Sequence, residues 1–261
     1  MRVVGVMVCA LLLALLSCAP TGERVGMTVR SELAGESVRL TLPTGDAKGV
    51  VVWFHGQGGN VNDKIDGPFL SALRRDGWAI ASSNFHAQSW GNPASTKDTA
   101  LLLRWTEKHT GMLPSLWVSG SMGGAVSLNA MLHGVPAPPC WYGVKPAIAL
   151  TRMQEVPGGP GFIRTAFDGP VPPERNPVAN LDALPVQTRY RVVASKQDRW
   201  LDYRENAGLL MRTLATRGAE VSELPVRGHH SDPSHWNAAD LLAFANSCLD
   251  DDTTRLAADG G

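Results

Sequence analysis

A surplus of charge of either sign is missing from this chain. Its 261 residues carry 24 Lys plus Arg and 24 Asp plus Glu, a formal net charge of zero. A dedicated nucleic-acid binder needs a basic surplus to meet the phosphate backbone, so that class is excluded. Lysine itself is scarce: only six of the 24 basic residues are Lys and the rest are Arg. Four Cys are too few for a disulfide scaffold. No repeat period or low-complexity tract occurs, which removes solenoids and arrays. There is no Gly-x4-Gly-Lys-Ser/Thr loop to cradle a nucleotide phosphate, no His-Glu-x-x-His helix and no paired Cys spacing for zinc. What is present is 44% apolar residues against 18% charged ones, enough to bury a sizeable core and too apolar for a disordered chain.

The first segment reads as an address. Met1-Arg2 is followed by about 14 apolar residues and then Leu15-Leu16-Ser17-Cys18. A positive start, an apolar run and a small residue before a break are the parts of an export signal, and the run is too short to span a bilayer comfortably. Leu15-Leu16-Ser17-Cys18 resembles the lipobox of bacterial lipoproteins, which is cut before a Cys that carries the lipid. The resemblance implies a signal peptide over 1–17 and lipidation of Cys18. The chain would then be exported and anchored at the outer face of the cell membrane or in the periplasm or outer membrane. The alternative is a plain secretory signal with an incidental Cys. Removal of the signal takes Arg2 and Cys9, leaving 23 basic and 24 acidic residues, with Cys140 and Cys248 as the cysteines besides Cys18. In an oxidising compartment these two could pair or stay as separate buried thiols.

Along the rest of the chain, residues 18–36 are polar and Gly-containing, as suits a tether, and a domain is expected over 37–250 with a tail at 251–261. Val38, Leu40 and Leu42 alternate, the period of a half-buried strand. Gly49–Phe54, Trp78–Ala81, Ser115–Ser119, Ala147–Leu150, Tyr190–Ala194 and Glu220–Val226 read as further strands, several of them apolar throughout. Helical spacing appears at Phe69, Leu70 and Leu73, at Leu101, Leu102 and Trp105 behind a Ser95–Asp98 capping box, at Ala125–Leu132, at Leu209, Leu210 and Leu214, and at Ala238–Leu249. Residues 151–187 are rich in Pro and Gly and break the rhythm, predicting a short irregular lid. Strands alternating with helices predict an α/β layer fold with a mainly parallel sheet and helices on both faces. In such sheets chemistry sits at the carboxyl ends of the strands.

Four polar clusters follow strands at that edge. Ser119-Gly120-Ser121-Met122-Gly123-Gly124 runs from strand to helix. His55-Gly56-Gln57-Gly58-Gly59 follows an apolar strand. Arg227-Gly228-His229-His230-Ser231-Asp232-Pro233 follows the last strand, and Ser195-Lys196-Gln197-Asp198 the one before it. Together these resemble the nucleophile elbow, His-Gly motif, acid loop and His loop of the α/β-hydrolase family, across residues 37–249. The usual first Gly of the elbow is Ser119 here, a small residue still. The resemblance implies the α/β-hydrolase fold, with Ser121 as nucleophile and the backbone N–H groups of Gln57 and Met122 as the oxyanion hole. It implies Asp198 as the acid, with Asp202 as fallback. Three His share the base loop. Gly-His favours His229, while the small residue and Asp-Pro turn after His230, similar to a His-Gly-Asp-Pro-Ser pattern of small exported bacterial hydrolases, favour His230. His230 is chosen over His229 and His235. His55 reads as structural, and His86 and Trp90 either border the acyl pocket or pack in the core. The three His of the 229–235 loop could alternatively suggest zinc, but no cofactor or metal is called for.

The activity implied is serine hydrolysis of a small-molecule ester through an acyl-serine intermediate, with no nucleic-acid partner and membrane contact only through Cys18. A serine peptidase on the same triad and a catalytically silent ligand-binding lipoprotein are the alternatives. The Asp198 partner is expected to raise the base pKa, so that rate falls on the acid side of roughly pH 7.

Overall fold

The structure, a computed structural model, describes residues 26–259, with side chains described through 249. The expected signal peptide and Cys18 lie outside the described residues. Among these residues, no helix is long and apolar enough to cross a membrane.

Eight strands form one sheet: β1 (Thr28–Leu33), β2 (Glu36–Thr41), β3 (Gly49–Phe54), β4 (Trp78–Ser83), β5 (Leu116–Gly120), β6 (Cys140–Val144), β7 (Arg189–Ser195) and β8 (Val221–Val226). Their order is β1-β2-β4-β3-β5-β6-β7-β8. β1 pairs antiparallel with β2, and β2 with β4; every pairing from β4 to β8 is parallel. The helices are α1 (Pro68–Arg75), α2 (Pro93–Thr110), α3 (Met122–Leu132), α4 (Gly159–Ala166), α5 (Ala207–Thr216) and α6 (Ala238–Asp259).

The strand period of two sorts the core into layers. Along β3, Val50, Val52 and Phe54 join one cluster with residues of α2, α3 and α5. Val51 and Trp53 join the other, with Phe69, Leu70 and Leu73 of α1 and Leu241, Phe244 and Ala245 of α6. A central strand buried on both faces therefore reads as an unbroken apolar run. Pro225 sits in β8, an edge strand, where a missing N–H does least harm. Cys140, at the start of β6, is disulfide-bonded to Cys248 of α6, with Cα atoms 6.2 Å apart.

Several expectations change. The region read as a tether contains β1, whose partner is β2, so the sheet begins inside 18–36. The strand expected at Ala147–Leu150 is instead β6, seven residues earlier by its first residue; Ala147–Leu150 is an apolar connection ending in a 3-10 turn. Short apolar runs do not distinguish a strand from a buried loop. The cap of α2 is Asn92, whose Oδ1 accepts the Ser95 N–H at 3.0 Å. Pro93 follows at the first helical position, where a missing donor costs nothing. Ser95 and Asp98 are both buried. The segment 151–187 is less irregular than its composition suggests: it holds α4 and four 3-10 turns and contributes Met153, Val156 and Ile163 to a third apolar cluster. α6 continues to Asp259, where a tail was expected from 251.

Candidate active site

β5 delivers Ser121 at the carboxyl edge of the sheet, and α3 starts at the next residue. Ser121 has φ 51° and ψ −113°, in the positive-φ half of the map that residues with a Cβ avoid. The turn is held by Ser121 N–H donating to Val144 O at 2.9 Å, and by Ser121 O accepting from Gly124 N–H and Ala147 N–H at 2.8 and 3.0 Å. The neighbouring glycines leave no room for more. A Cβ on Gly123 would lie 2.2 Å from Phe54 O, and one on Gly120 would lie 2.9 Å from the Trp53 ring. Ser119, where the related motif has Gly, is fully buried, and its hydroxyl meets Ser127 Oγ of α3 at 2.8 Å. Ser127 Oγ also accepts the Trp141 indole N–H at 2.9 Å. The departure from the motif is thus a small side chain whose polar atom is satisfied.

Ser121 Oγ lies 2.9 Å from His230 Nε2, and His230 Nδ1 lies 2.7 Å from Asp198 Oδ2. Asp198 Oδ1 accepts the N–H groups of Trp200 and Leu201 at 2.9 and 3.2 Å, which fixes the carboxylate. Gln197 Oε1 accepts the Gly228 N–H at 2.8 Å, tying the acid loop to the His loop. Gly228 has φ 93°, and a Cβ there would lie 2.3 Å from Asp232 Oδ2, so the turn that presents His230 requires Gly. The structure brings Ser121, His230 and Asp198 into one line. It leaves out His229, which is exposed, and Asp202, whose Oδ1 accepts the Arg204 and Glu205 N–H groups in the turn before α5. His235 is fully buried with Nδ1 3.0 Å from Asp232 O, and among the described residues its Nε2 has no partner. His55 has Nε2 2.9 Å from Asn84 O and Nδ1 2.9 Å from Gly56 O, two backbone contacts that hold the His-Gly loop.

Burial pushes the His230 pKa below its ordinary 6.5; the Asp198 hydrogen bond opposes this and the Lys145 charge adds to it. The expectation of a raised base is therefore reversed, because desolvation of the imidazolium outweighs its carboxylate partner. For Asp198 burial would raise the carboxyl, but the His230 hydrogen bond and charge, with the two backbone donors, hold it below the usual range.

Beside Ser121 lies a cavity of about 480 Å³. The His-Gly loop lines it with Gly56, Gln57 and Gly58; the lid contributes Val156 and Pro157; Trp200 and Trp236 supply aromatic faces. Trp200 stacks on His230 with ring centroids 4.8 Å apart. The Gln57 side chain donates to Pro157 O at 2.8 Å, joining loop to lid. Met122 heads α3, so its N–H has no helical carbonyl to meet; among the described residues the Gln57 N–H also has no partner within the chain. His86 and Trp90 do not line this cavity: Trp90 is fully buried, and His86 Nδ1 lies 2.5 Å from Asp98 Oδ2. Sequence reasoning missed Lys64, Lys145, Val156, Pro157, Trp200 and Trp236, which carry no motif and reach the cavity from separate loops. Among the described residues, Glu36, His86 and Asp98 group their ligating atoms within 4.8 Å; His229, His230 and His235 do not form such a group.

No protein-family model and no curated protein matches the chain. Solved structures do. A puromycin-hydrolysing peptidase from Mycobacterium tuberculosis matches with a TM-score of 0.67 and 15% identity over 87% of this chain; the chain spans 40% of that protein's length. EstE7, a homologue of HSL from a metagenome library, matches with a TM-score of 0.66 and 14% identity over 87% of each chain. A highly thermostable carboxyl esterase from Bacillus coagulans matches with a TM-score of 0.65 and 12% identity over 86% of this chain and 99% of the other. At such identities the likeness establishes the fold alone, and the fold is that of the α/β hydrolases.

Proposed function

We propose that this chain is a serine hydrolase that cleaves a carboxylic ester through an acyl-serine intermediate. The observation that carries this reading is the unbroken line from Ser121 Oγ through His230 to Asp198, with spacings of 2.9 and 2.7 Å. A serine hydroxyl is a poor nucleophile until a base accepts its proton, and the base needs an orienting acid. Here Nδ1–H of His230 donates to Asp198, which leaves the Nε2 lone pair facing the Ser121 hydroxyl. In the proposed cycle Oγ attacks the ester carbonyl as its proton passes to Nε2. The tetrahedral oxyanion receives the N–H groups of Gln57 and Met122. Collapse breaks the ester bond, and the proton on Nε2 goes to the departing alkoxide as the alcohol leaves. Water then repeats the sequence on the acyl-serine and releases the acid.

The positive φ of Ser121 supports the reading, since strained backbone of this kind collects at functional sites. The structures of similar fold include esterases and a peptidase by name, so the leaving group needs its own test. The experiment is labelling with a fluorophosphonate, followed by hydrolysis of chromogenic esters and amides. Ser121-dependent labelling with ester turnover is the expected result. Turnover of amides in preference to esters would make the chain a peptidase, and absence of labelling would leave a silent binding scaffold. We further propose that the domain is exported and held at the membrane by lipid on Cys18.

A further inference from the structure

Two ammonium groups enter the cavity beside Ser121. Lys64 and Lys145 both line it, and their Nζ atoms lie 4.4 and 5.0 Å from the Trp236 ring centroid. Lys145 is almost fully buried, and its amine donates to His230 O. Among the described residues, neither lysine has a carboxylate within 4.0 Å. Burying a cation is costly unless a counter-charge offsets the lost hydration. The neutral contacts here, an indole face and a peptide carbonyl, offset it only in part. Asp198 acts on Lys145 through its charge, but it is hydrogen-bonded to His230 and two backbone N–H groups, does not line the cavity and forms no ion pair with either lysine. Asp63, which does line the cavity, pairs with neither lysine. The wall therefore holds two ammonium groups against the single carboxylate of Asp63.

The backbone shows that both lysines are placed and held. Lys64 has φ 59° and Lys145 φ 43°, each in the left-handed region. The Lys64 loop is pinned by Val61 N–H donating to Asn84 Oδ1 at 2.9 Å and by Ser82 Oγ–H donating to Val61 O at 2.6 Å, with Ile65 buried behind it. Lys145 follows β6 directly, and its N–H donates to Val193 O at 2.7 Å. Trp236, which both amines share, is fixed in turn by Trp53 and Phe69, with ring centroids 6.2 and 5.2 Å away.

We propose that Lys64, Lys145 and Trp236 form a subsite for a carboxylate on the substrate, so that the preferred ester is a monoester of a dicarboxylic acid. The acyl carbonyl lies at Ser121, the free carboxylate meets the two ammonium groups, and the methylene chain between them lies in the cavity. As a substrate preference this rests on the serine-hydrolase reading; as a binding site it does not.

The test uses the p-nitrophenyl monoester of glutaric acid and p-nitrophenyl valerate, which share a five-carbon acyl chain and differ by the carboxylate. The wild-type protein is expected to favour the charged ester at least tenfold in kcat/KM. Lys64→Gln should lower that ratio at least tenfold, Lys64→Arg should keep it, and Lys64→Glu should invert it. A ratio near one in the wild type overturns the subsite even if both esters are cleaved. In parallel, glutarate binding to Ser121→Ala is measured by calorimetry, where no turnover is needed. Binding that weakens at least tenfold when Lys64→Gln is added supports the subsite even if no ester is hydrolysed. No binding to Ser121→Ala overturns it. If neither ester is cleaved and Ser121 takes no fluorophosphonate, the hydrolase reading fails while the calorimetry still decides the subsite.

Discussion

At Ser121 the backbone occupies a region that costs a residue with a Cβ about 1–3 kcal/mol, and the surrounding contacts must hold it there. Gly123 is part of that support. A Cβ there would lie 2.2 Å from Phe54 O, so α3 can start this close to β3 only with glycine at that position. Gly123→Ala is expected to destabilise by about 1–3 kcal/mol, as overpacking does, and to abolish ester hydrolysis by moving Ser121; thermal unfolding and turnover check both. His230→Ala should lose several powers of ten in kcat, whereas His229→Ala, an exposed side chain, should keep substantial activity. The pH profile follows from the same imidazole. Only the neutral form accepts the Ser121 proton, and burial lowers the pKa of His230 below 6.5. Between that lowered value and 6.5 the base is still neutral, so the acid limb of kcat/KM should have its midpoint below pH 6.5. A midpoint above 6.5 would contradict the burial argument.

Among the elements, α6 depends on a covalent tie. The bond from Cys140 to Cys248 closes a separation of 108 residues and fastens the last helix to β6. Loops of that size restrict the unfolded chain strongly, so Cys140→Ser with Cys248→Ala should cost about 2–5 kcal/mol in thermal or denaturant unfolding. Reductant should lower the wild-type midpoint and leave that of the double variant where it is. Strands and helices were largely legible from period and composition, because a sheet buried on both faces demands apolar runs such as Gly49–Phe54. The misses have local causes. β1 exposes most of its side chains and so has no apolar signature, being held by pairing with β2. Ala147–Leu150 is as apolar as a strand but packs as a connection under the lid. Asn92 caps α2 from one residue before Pro93, where the Ser95–Asp98 spacing misled.

For the molecule as a whole, attachment is a separate question from chemistry. With Leu15-Leu16-Ser17-Cys18 as motive, Cys18→Ser is expected to shift the protein from the membrane fraction to the soluble one, since two or more acyl chains anchor firmly. A mature amino terminus at a residue other than Cys18, read by mass spectrometry, would exclude the anchor. Within the folded domain, the sequence by itself determined the layer architecture and the loops that carry polar chemistry. Periodicity and glycine positions are local properties, readable without knowing what lies across the sheet. Tertiary structure decided between His229 and His230 and between Asp198 and Asp202 as neighbours of Ser121, because adjacent residues in a loop differ only in the direction they face. It also decided the direction of the His230 pKa, which depends on how deeply the ring is buried and on the Lys145 charge beside it. The cavity wall was the least legible part. Lys64, Lys145 and Trp236 are far apart in the chain and belong to no motif, and only the parallel sheet, by bringing its carboxyl-end loops together, places them around one volume.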